Sequence, residues 1–363
     1  MTRGELFEKR RRKRRAKVIR KGVIAGGAVL LVLLLVFVVR AAIISGRNSV
    51  EGSRDNAAEE DIEQSVADTN TATLIDGSPD VGDVGWNMDD SGWWYKTEDN
   101  KIYTNGWQEL DGERYYFNDQ GRLLTGWNYL NDGSYVCFSD SGVYMPDKQP
   151  INIALTFDDG PSRFTDRILD ALEANHAKAT FFVVGSQAEG DEISRNAMIR
   201  AYNMGMEIGS HTWEHIDLYG SSPEAIATTM DRNDQYLQSV LGFTPKIMRP
   251  TGGGIDDNVR NTVNKPMINW DVDTLDWETK DAQNTYNVIL DEVKEGSIVL
   301  MHDIYEQTAV AAEMVIPELV NRGYRLLTVS ELAELKGVTL EPHQKYTDFV
   351  DWDAYYASRD AAE

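Results

Sequence analysis

From residue 151 onward, short apolar segments alternate with longer segments of helical periodicity. Repeated strand–helix units of this length predict an α/β domain with a parallel sheet, closed or nearly closed into a distorted (β/α) barrel. The predicted strands are residues 151–157, 179–184, 207–210, 246–249, 267–272, 297–301 and 324–329. The predicted helices are residues 164–175, 191–203, 223–241, 285–293 and 307–322.

Five polar motifs lie at or just after the ends of these predicted strands. In parallel barrels the chemistry is carried at the carboxyl ends of the strands, so these positions favour one shared site. Each motif alone is weak evidence, because Asp-Gly-Pro, for example, is also ordinary turn chemistry. The motifs are TFDDG (156–160), HTWEH (211–215), RPTGG (249–253), DTLDW (273–277) and LMHD (300–303).

The first two motifs offer metal ligands. Asp158 and Asp159 are adjacent at a strand end and point in different directions, so one can bind a metal while the other acts as a base. His211 and His215 are four residues apart, a spacing that predicts two imidazoles on one helical face. With a carboxylate they make a two-His, one-carboxylate set. Because Cys137 is the only cysteine, a cysteine-rich zinc site is excluded.

The other three motifs add groups that can contact a ligand. Arg249 can pair with a carboxylate, and the glycine run that follows it allows close approach of backbone N–H groups to a ligand. The acidic and aromatic residues of the fourth motif suit a sugar-binding wall. His302 ends a buried apolar strand, although a lone histidine at such a position is more often structural.

Taken together and in this order, the five motifs closely resemble those of the polysaccharide deacetylase family. The resemblance covers about residues 151–335 and implies a deacetylase domain at 147–337. It implies that Asp159, His211 and His215 bind a divalent metal, usually zinc, with cobalt, nickel or manganese as alternatives. One departure stands out: the family usually has an aromatic residue where this chain has Gly252.

The same resemblance implies a role for each remaining site residue. Asp158 is the general base that activates water, and Arg249 pairs with Asp158 and holds it in place. His302, oriented by Asp276, protonates the departing amine. Three residues are implied to contact the substrate: Gly252 through its backbone N–H, and Trp277 and Leu300 around the acetyl methyl group.

Residues 84–146 contain a repeated aromatic unit. Gly-Trp pairs recur at residues 85, 106 and 126, and each unit predicts a β-hairpin that stacks on its neighbours in a small solenoid. The units resemble choline- or glucan-binding wall repeats, which implies aromatic contacts with a choline or glucan ligand. Alternatively, the aromatic residues form only the hairpin core. The candidate ligand-binding residues are Trp86, Trp93, Trp107 and Trp127.

The amino-terminal part predicts a membrane anchor. Residues 1–21 carry eleven Lys or Arg against two Glu and form a basic cytoplasmic head, and the apolar segment 22–45 can span about 30 Å of hydrocarbon as a helix. A cleaved signal peptide is the alternative. Residues 46–83 read as an acidic flexible linker, and the tail 338–363 has no assigned role.

The charge distribution bears on partners. The first 21 residues carry +9 of a total of −23, so the remaining residues carry −32, which argues against nucleic-acid binding by the main body. The sequence as a whole predicts a single-pass membrane protein whose extracytoplasmic domain removes N-acetyl groups from a cell-wall glycan, with N-acetylglucosamine of peptidoglycan as the leading candidate. An O-acetyl polysaccharide esterase, or a catalytically weak wall-binding protein, remains an alternative.

Overall fold

The computed structural model describes residues 71–77 and 81–360, with side chains up to residue 356. The predicted cytoplasmic head, the predicted transmembrane anchor and most of the predicted linker lie outside the described residues. Among the helices that are described, none is long and apolar enough to cross a membrane.

The described strands and helices follow the predicted order closely. The strands are β1 Thr73–Asp76, β2 Gly85–Asp89, β3 Gly92–Lys96, β4 Lys101–Thr104, β5 Gly106–Leu110, β6 Glu113–Phe117, β7 Gly126–Tyr129, β8 Tyr135–Phe138, β9 Ile151–Asp158, β10 Thr180–Val183, β11 Glu207–Ser210, β12 Met267–Ile268, β13 Val272–Asp273, β14 Ile298–His302, β15 Tyr324–Leu327 and β16 Lys345–Tyr346. The α-helices are α1 Thr165–Ala174, α2 Gly185–Gly190, α3 Glu192–Asn203, α4 Pro223–Leu241, α5 Asp257–Thr262, α6 Asp276–Thr279, α7 Ala282–Glu292, α8 Glu306–Asn321, α9 Val329–Leu335 and α10 Trp352–Asp360.

Each aromatic repeat contains one antiparallel hairpin: β2 pairs with β3, β5 with β6, and β7 with β8. The β5–β6 turn is Asp111-Gly112, and both residues have positive φ (54° and 83°), as a two-residue hairpin turn requires. Tyr116, Leu130 and Phe138 form a buried cluster that joins the second and third hairpins. The hairpins therefore bury apolar surface against one another.

The α/β domain is built on a parallel sheet whose regular order is β11-β10-β9-β14-β13, with β15 also paired to β9. Strand β9 is at the centre and is almost entirely buried. Helices cover the sheet, and its largest apolar cluster includes Leu155, Phe157 and Val299 from the strands and Leu169 and Ile316 from the helices. A strand buried on both faces is mostly apolar, and the two polar residues within 151–157 are hydrogen-bonded: Asn152 donates to Glu295 and Thr156 to the Val299 carbonyl.

The α/β class and the parallel sheet are confirmed, but the predicted closed barrel is not. Within residues 71–77 and 81–360 the ladders stop at β11 on one side and β13 on the other. Beyond β11 the sheet continues only through isolated parallel bridges from Ser210 to Met248 and from Met248 to Met267. Residues 269–271 join β12 to β13 by chain continuity and not by a ladder.

Two segments that were predicted as strands lie where the hydrogen-bonded ladder is interrupted. The predicted strand 246–249 is wrong: it lies between Pro245 and Pro250, which donate no backbone hydrogen bond, and only Met248 forms bridges. The predicted strand 267–272 is split into β12 and β13. The carbonyls of Ile268 and Asn269 accept hydrogen bonds from the Arg249 side chain and so are not available to a ladder.

Local sequence signals set the helix ends. In α4 the Ser222 hydroxyl accepts a hydrogen bond from the N–H of Ala225, Pro223 takes the first turn, and Gly242 ends the helix at φ 80°. These residues explain why the prediction for α4 matched the structure at both ends. The short helices α2 and α9 were not predicted, because six or seven residues contain too few turns for periodicity to be recognised.

The carboxyl-terminal tail packs against the α/β sheet. Strand β16 pairs with β12 in parallel, and the Phe349 N–H donates to the Gly296 carbonyl. Phe349 joins a buried cluster with Ile298 and Leu332. The tail therefore covers apolar surface at the open side of the sheet, a role that its Asp-rich sequence had not indicated.

The third hairpin docks on the α/β domain. The Tyr135 hydroxyl donates to the Val320 carbonyl at 2.8 Å, and the Trp127 indole lies where a Cβ on Gly323 would be. Gly323 also has φ 88°, so both space and backbone conformation require glycine there.

Gly323→Ala is therefore expected to destabilise the full-length chain by about 2–4 kcal/mol, combining left-handed backbone strain with overpacking against Trp127. Gly337→Ala is the matched control, because Gly337 also has positive φ (67°) but nothing lies near its Cβ position. The control is expected to lose only about 1–2 kcal/mol. Denaturant unfolding measures both, and equal losses would show that the Trp127 contact contributes nothing.

Candidate active site

The carboxyl end of β9 separates two carboxylates. Asp158 is the last residue of the strand and is buried, while Asp159 follows at φ 72° and turns its side chain elsewhere. A positive φ is uncommon for a residue other than glycine, and Asp tolerates it better than most. The sequence prediction that the two carboxylates point in different directions agrees with this geometry.

Arg249 fixes the Asp158 carboxylate. Its fully buried guanidinium donates to Asp158 Oδ1 and to Thr156 Oγ1, both at 2.7 Å. The guanidinium also lies 4.2 Å from the centroid of the Phe182 ring and 5.5 Å from that of the Trp270 ring. A planar cation held by several hydrogen bonds and two rings has one orientation, so Asp158 Oδ2 alone remains free of this clamp.

Asp159, His211 and His215 converge on one point. The Nε2 atoms of His211 and His215 lie 3.4 and 3.0 Å from Asp159 Oδ1, and ligand atoms of the three residues lie within 4.8 Å of one another. His211 is buried and its Nδ1 contacts the Arg249 carbonyl at 2.7 Å, which leaves Nε2 facing Asp159. His215 is half exposed, so the site is open on that side.

The prediction that the two histidines share a helical face is wrong. Residues 211–215 form a loop after β11, in which Thr212 and His215 have positive φ values of 68° and 57°. The Trp213 N–H donates to Thr229 Oγ1 on α4, which anchors the middle of the loop. The imidazoles meet because the loop curls around Asp159, although the spacing of four residues did identify the pair.

The three side chains fit a divalent metal. In the described part of the chain, Asp159 Oδ1 is buried and has no hydrogen-bond donor, while two imidazole nitrogens face it. Burial alone would raise the pKa of Asp159, yet the contacts with His211 and His215 lower it well below its usual range. The contact with Asp159 raises the pKa of His215. One carboxylate oxygen and two imidazole nitrogens that face each other make up the donor set of a two-His, one-carboxylate metal site.

A His–Asp pair lies beside the clamped carboxylate. His302 pairs with Asp158 across the β9–β14 ladder, and its Nδ1 lies 2.8 Å from Asp276 Oδ1. Asp276 is buried and also accepts hydrogen bonds at Oδ2 from the His302 N–H and the Thr308 hydroxyl. Although burial opposes the charged imidazole, Asp276 outweighs it, and the pKa of His302 is raised to about 9. His302 is therefore a proton donor at neutral pH.

The three predicted substrate contacts differ in exposure. Leu300 is buried in β14 two residues before His302, whereas Trp277 follows Asp276 and is 40% exposed. Gly252 has φ 63°, and no atom lies within 4 Å of its Cβ position. The aromatic side chain that the family usually has there is thus replaced by open space.

The predicted repeat tryptophans have unequal surroundings. Trp86 and Trp93 are 36% and 43% exposed. Trp107 is covered by the Arg114 guanidinium, 4.5 Å from its ring centroid, so the chain's own cation occupies that face. Trp127 packs on the α/β domain. Trp86 also lies 5.0–6.0 Å from the rings of Tyr95, Tyr115 and Phe117, so three of the four rings contact other groups of the chain.

Several residues that shape this site were not assigned a role from the sequence. Phe182 and Trp270 enclose Arg249, Thr308 supports Asp276, and Asp303 was quoted in the LMHD motif without a role. Tyr219 is 61% exposed and packs beside Gly254, near the glycine run. Two of them had a sequence signal: Asp303 directly follows His302, and Trp270 lies three residues before the DTLDW motif. The others are brought to the site by distant segments.

The fold and the site define a class: a parallel α/β protein with a divalent-metal site at the strand ends, flanked by a clamped carboxylate and a His–Asp pair, as in metal-dependent hydrolases. Residues 146–268 match the family described as polysaccharide deacetylase. The chain is 33% identical over 201 residues to a peptidoglycan-N-acetylglucosamine deacetylase of Bacillus cereus, covering 53% of this chain and 92% of that protein. The chain belongs to the polysaccharide deacetylase family.

Two further similarities bear on function. Peptidoglycan-N-acetylmuramic acid deacetylase PdaC of Bacillus subtilis is 36% identical over 185 residues, which cover 51% of this chain and only 39% of that protein. The structure of a family 4 acetyl xylan esterase from Clostridium thermocellum, in complex with a cobalt ion, is 32% identical with a TM-score of 0.51. That match covers 54% of this chain and 98% of the esterase.

Proposed function

We propose that this chain hydrolyses N-acetyl groups on a cell-wall glycan, with N-acetylglucosamine of peptidoglycan as the substrate. One observation carries the proposal: the Asp159–His211–His215 cluster directly follows the clamped carboxylate Asp158, and the His302–Asp276 pair lies beside Asp158 across the β9–β14 ladder. Amide hydrolysis needs a base for water and an acid for a poor leaving group, and this arrangement supplies both. Relatives named peptidoglycan deacetylases support the substrate.

Asp158 is the general base in this proposal. Arg249 occupies Oδ1, so Oδ2, which lies 3.8 Å from His211 Nε2, is the oxygen that takes a proton from the attacking water. The guanidinium holds Asp158 in one orientation. The backbone N–H of Gly252 is proposed to donate to the carbonyl oxygen as negative charge develops there.

Asp159, His211 and His215 would hold the metal. When bound, a divalent metal polarises the acetamide carbonyl and makes water more acidic. Zinc suits this set of two imidazoles and a carboxylate with an open side, and cobalt, nickel and manganese accept the same ligands.

His302 is the general acid. Asp276 holds Nδ1, so Nε2 is the nitrogen that gives its proton to the departing amine as the C–N bond breaks. The products are acetate and the free amino sugar. Leu300 and Trp277 are proposed to enclose the acetyl methyl group and to exclude water on that side.

The alternative is an O-acetyl polysaccharide esterase, which is supported by the likeness to an acetyl xylan esterase. An alkoxide leaves more easily than an amine, so an esterase depends less on His302. A weak wall-binding protein is the remaining alternative, and it requires no turnover at all.

Acetate release by the full-length chain tests these three functions. The substrates are N-acetylglucosamine oligomers, purified peptidoglycan and O-acetylated xylo-oligosaccharides, each with chelated protein and with added zinc. The proposal expects zinc-dependent release from the N-acetyl substrates. Release from the O-acetyl substrate alone would establish the esterase, and no release from any of them would favour the binding role.

The His302–Asp276 pair predicts an alkaline limit. Because the pKa of His302 is raised to about 9, the acid form predominates below that pH and is lost above it, so kcat is expected to fall as pH rises through about 9. Asp276→Asn removes the charge that raises this pKa, so the fall in kcat is expected to occur about 1–3 pH units lower. Glu278→Gln is the matched control, an exposed acid two residues away. If kcat of Asp276→Asn fell at the same pH as that of the wild type, the assignment of His302 as the acid would be contradicted.

The location of the chain is part of the proposal. The basic head and the apolar segment 22–45 support a single-pass anchor with its amino terminus in the cytoplasm and the α/β domain outside. Protease digestion of intact cells should then remove a carboxyl-terminal tag and spare an amino-terminal one. Protection of both tags would contradict this topology.

The repeats are proposed to stack as a wall-binding solenoid. Trp93 is 43% exposed and offers the most accessible of the four rings to choline or glucan, whereas Trp86, Trp107 and Trp127 contact other groups of the chain. Trp93→Ala should therefore weaken retention on a choline or glucan resin without affecting acetate release. Equal retention of variant and wild type would contradict ligand binding by Trp93 and favour a purely structural role for the aromatic residues.

A further inference from the structure

Asp303 is a fully buried carboxylate that the proposed mechanism does not use. It follows His302 directly, and its backbone N–H donates to the Asp158 carbonyl at 3.3 Å. Its side-chain Oδ2 accepts a hydrogen bond from the Thr165 hydroxyl at 2.5 Å, and its carbonyl accepts one from the Ser162 hydroxyl at 2.5 Å. Asp303 therefore contacts both ends of the segment that carries Asp158 and Asp159.

The Asp303 carboxyl also explains a glycine in another motif. A Cβ on Gly160 would overlap both carboxyl oxygens of Asp303. The φ of Gly160 is not positive, so its backbone conformation does not require glycine. Position 160 has no room for a side chain because Asp303 fills the space beside it. The aspartate of the LMHD motif therefore accounts for the glycine of the TFDDG motif.

These contacts join the two sides of the site. The segment from Asp158 to Thr165 leaves β9 with Asp159 in an unusual backbone conformation, and its internal hydrogen bonds, from the N–H groups of Ser162, Phe164 and Thr165, lie at its far end. Asp303 holds it at three points: the Asp158 carbonyl, the Gly160 Cα and the Thr165 hydroxyl. Asp303 is also the residue that directly follows His302 in the chain.

We propose that Asp303 is a positioning residue, which sets Asp159 for metal binding and holds the base Asp158 at a fixed place relative to the acid His302. This assignment rests on the proposed function for its catalytic consequence, whereas its effect on the metal site does not depend on turnover. Neighbours that orient metal ligands typically contribute about 10–100-fold to metal affinity or activity.

A carboxyl group is an unusual choice for this buried position. Burial raises the pKa of Asp303 to about 7, against the lowering effect of the Thr165 hydrogen bond, and the charges of Asp159 and Asp158 add to the rise. Among the described residues, Asp303 Oδ1 has no hydrogen-bond donor. A neutral side chain of the same shape therefore meets the same contacts, so Asp303→Asn is the conservative variant.

The test is a double-substitution cycle at Gly160 and Asp303 in the full-length chain, with zinc affinity measured by competition with a chromophoric chelator. Gly160→Ala alone is expected to weaken zinc binding about 10–100-fold, because the new methyl group displaces either Asp303 or the Asp159 loop. Asp303→Ala is expected to weaken it by a similar factor. The double variant Gly160→Ala/Asp303→Ala should bind zinc at least about tenfold more tightly than the product of the single effects predicts.

Kinetics separate positioning from a general loss of folding. Asp303→Ala is expected to lower kcat about 10–100-fold with little change in KM, and Asp303→Asn is expected to restore zinc affinity and most of kcat. Thermal unfolding of each variant identifies any that fails to fold. If Gly160→Ala does not fold, the comparison of Asp303→Ala with Asp303→Asn still decides.

Additive effects in the cycle, or zinc affinity and kcat within about twofold of wild type in Asp303→Ala, would overturn the assignment. Zinc binding with no acetate release by the wild-type chain would instead contradict the proposed function. In that case the coupling of Gly160 and Asp303 in zinc affinity is still measured, so the two failures are distinguishable.

Discussion

Asp158→Asn is expected to lower kcat for acetate release by about 10²–10⁴-fold, the range that a general base contributes. The amide keeps the size of the side chain and can still accept the hydrogen bond from Arg249, but it cannot take a proton from water. Asp158 is not among the three ligand candidates, so metal affinity should change by no more than about tenfold. That is the lower end of the effect on metal affinity that replacing a neighbour of metal ligands typically has.

The same substitution affects stability. Arg249 is fully buried, and Asp158 is the carboxylate paired with it, so removing that charge leaves a buried cation uncompensated. Breaking such a pair costs about 3–5 kcal/mol, and the neutral hydrogen bond retained by Asn offsets part of this. Denaturant unfolding should therefore show a loss, which is compared with Asp119→Asn, the same substitution at an exposed turn of the second repeat. Full activity in folded Asp158→Asn would exclude it as the base.

His211→Ala is expected to weaken zinc binding by more than about 100-fold, beyond the range for neighbours of ligands, and to lower acetate release by about 10³-fold. His211 presents Nε2 to Asp159 and is held by the Arg249 carbonyl, so no nearby group replaces it. Chelation of the wild-type chain should produce the same loss, and added zinc should restore activity only in the wild type.

His215→Ala and His343→Ala complete that experiment. His215 belongs to the same ligand set but is half exposed, so its loss should weaken zinc binding while costing little packing. His211 is buried, and His211→Ala should also lower the free energy of unfolding. His343 contacts the Arg260 carbonyl and lies outside the cluster, so its replacement should change neither quantity. Unchanged zinc affinity in both cluster variants would contradict the metal site.

Much of the fold was predictable because its signals are local. A strand buried on both faces is mostly apolar, and five of the seven residues 151–157 are apolar. Helix α4 was predicted at both ends because Ser222 and Gly242 cap it. The segment 246–249 was mistaken for a strand because its two apolar residues, Ile247 and Met248, are too few to distinguish a strand from an irregular segment.

The candidate site was predictable in its residues and not in its geometry. His211 and His215 were found by a helical spacing, yet they meet because a loop with two positive φ values curls around Asp159. That conformation depends on contacts such as the one from Trp213 to Thr229, which a pattern of four residues cannot encode. The right pair was thus identified from a wrong local structure.

The sequence by itself determined the α/β class, the order of the five motifs and the residues that carry the chemistry, because periodicity and residue type are properties of neighbouring positions. The tertiary structure decided what depends on distant segments. It determined that the ladders of the described residues do not close into a barrel, that Phe182 and Trp270 enclose Arg249, and that Trp127 packs on the α/β domain. It also showed that Gly160 must be glycine because Asp303, more than a hundred positions along the chain, occupies the space where a side chain would stand.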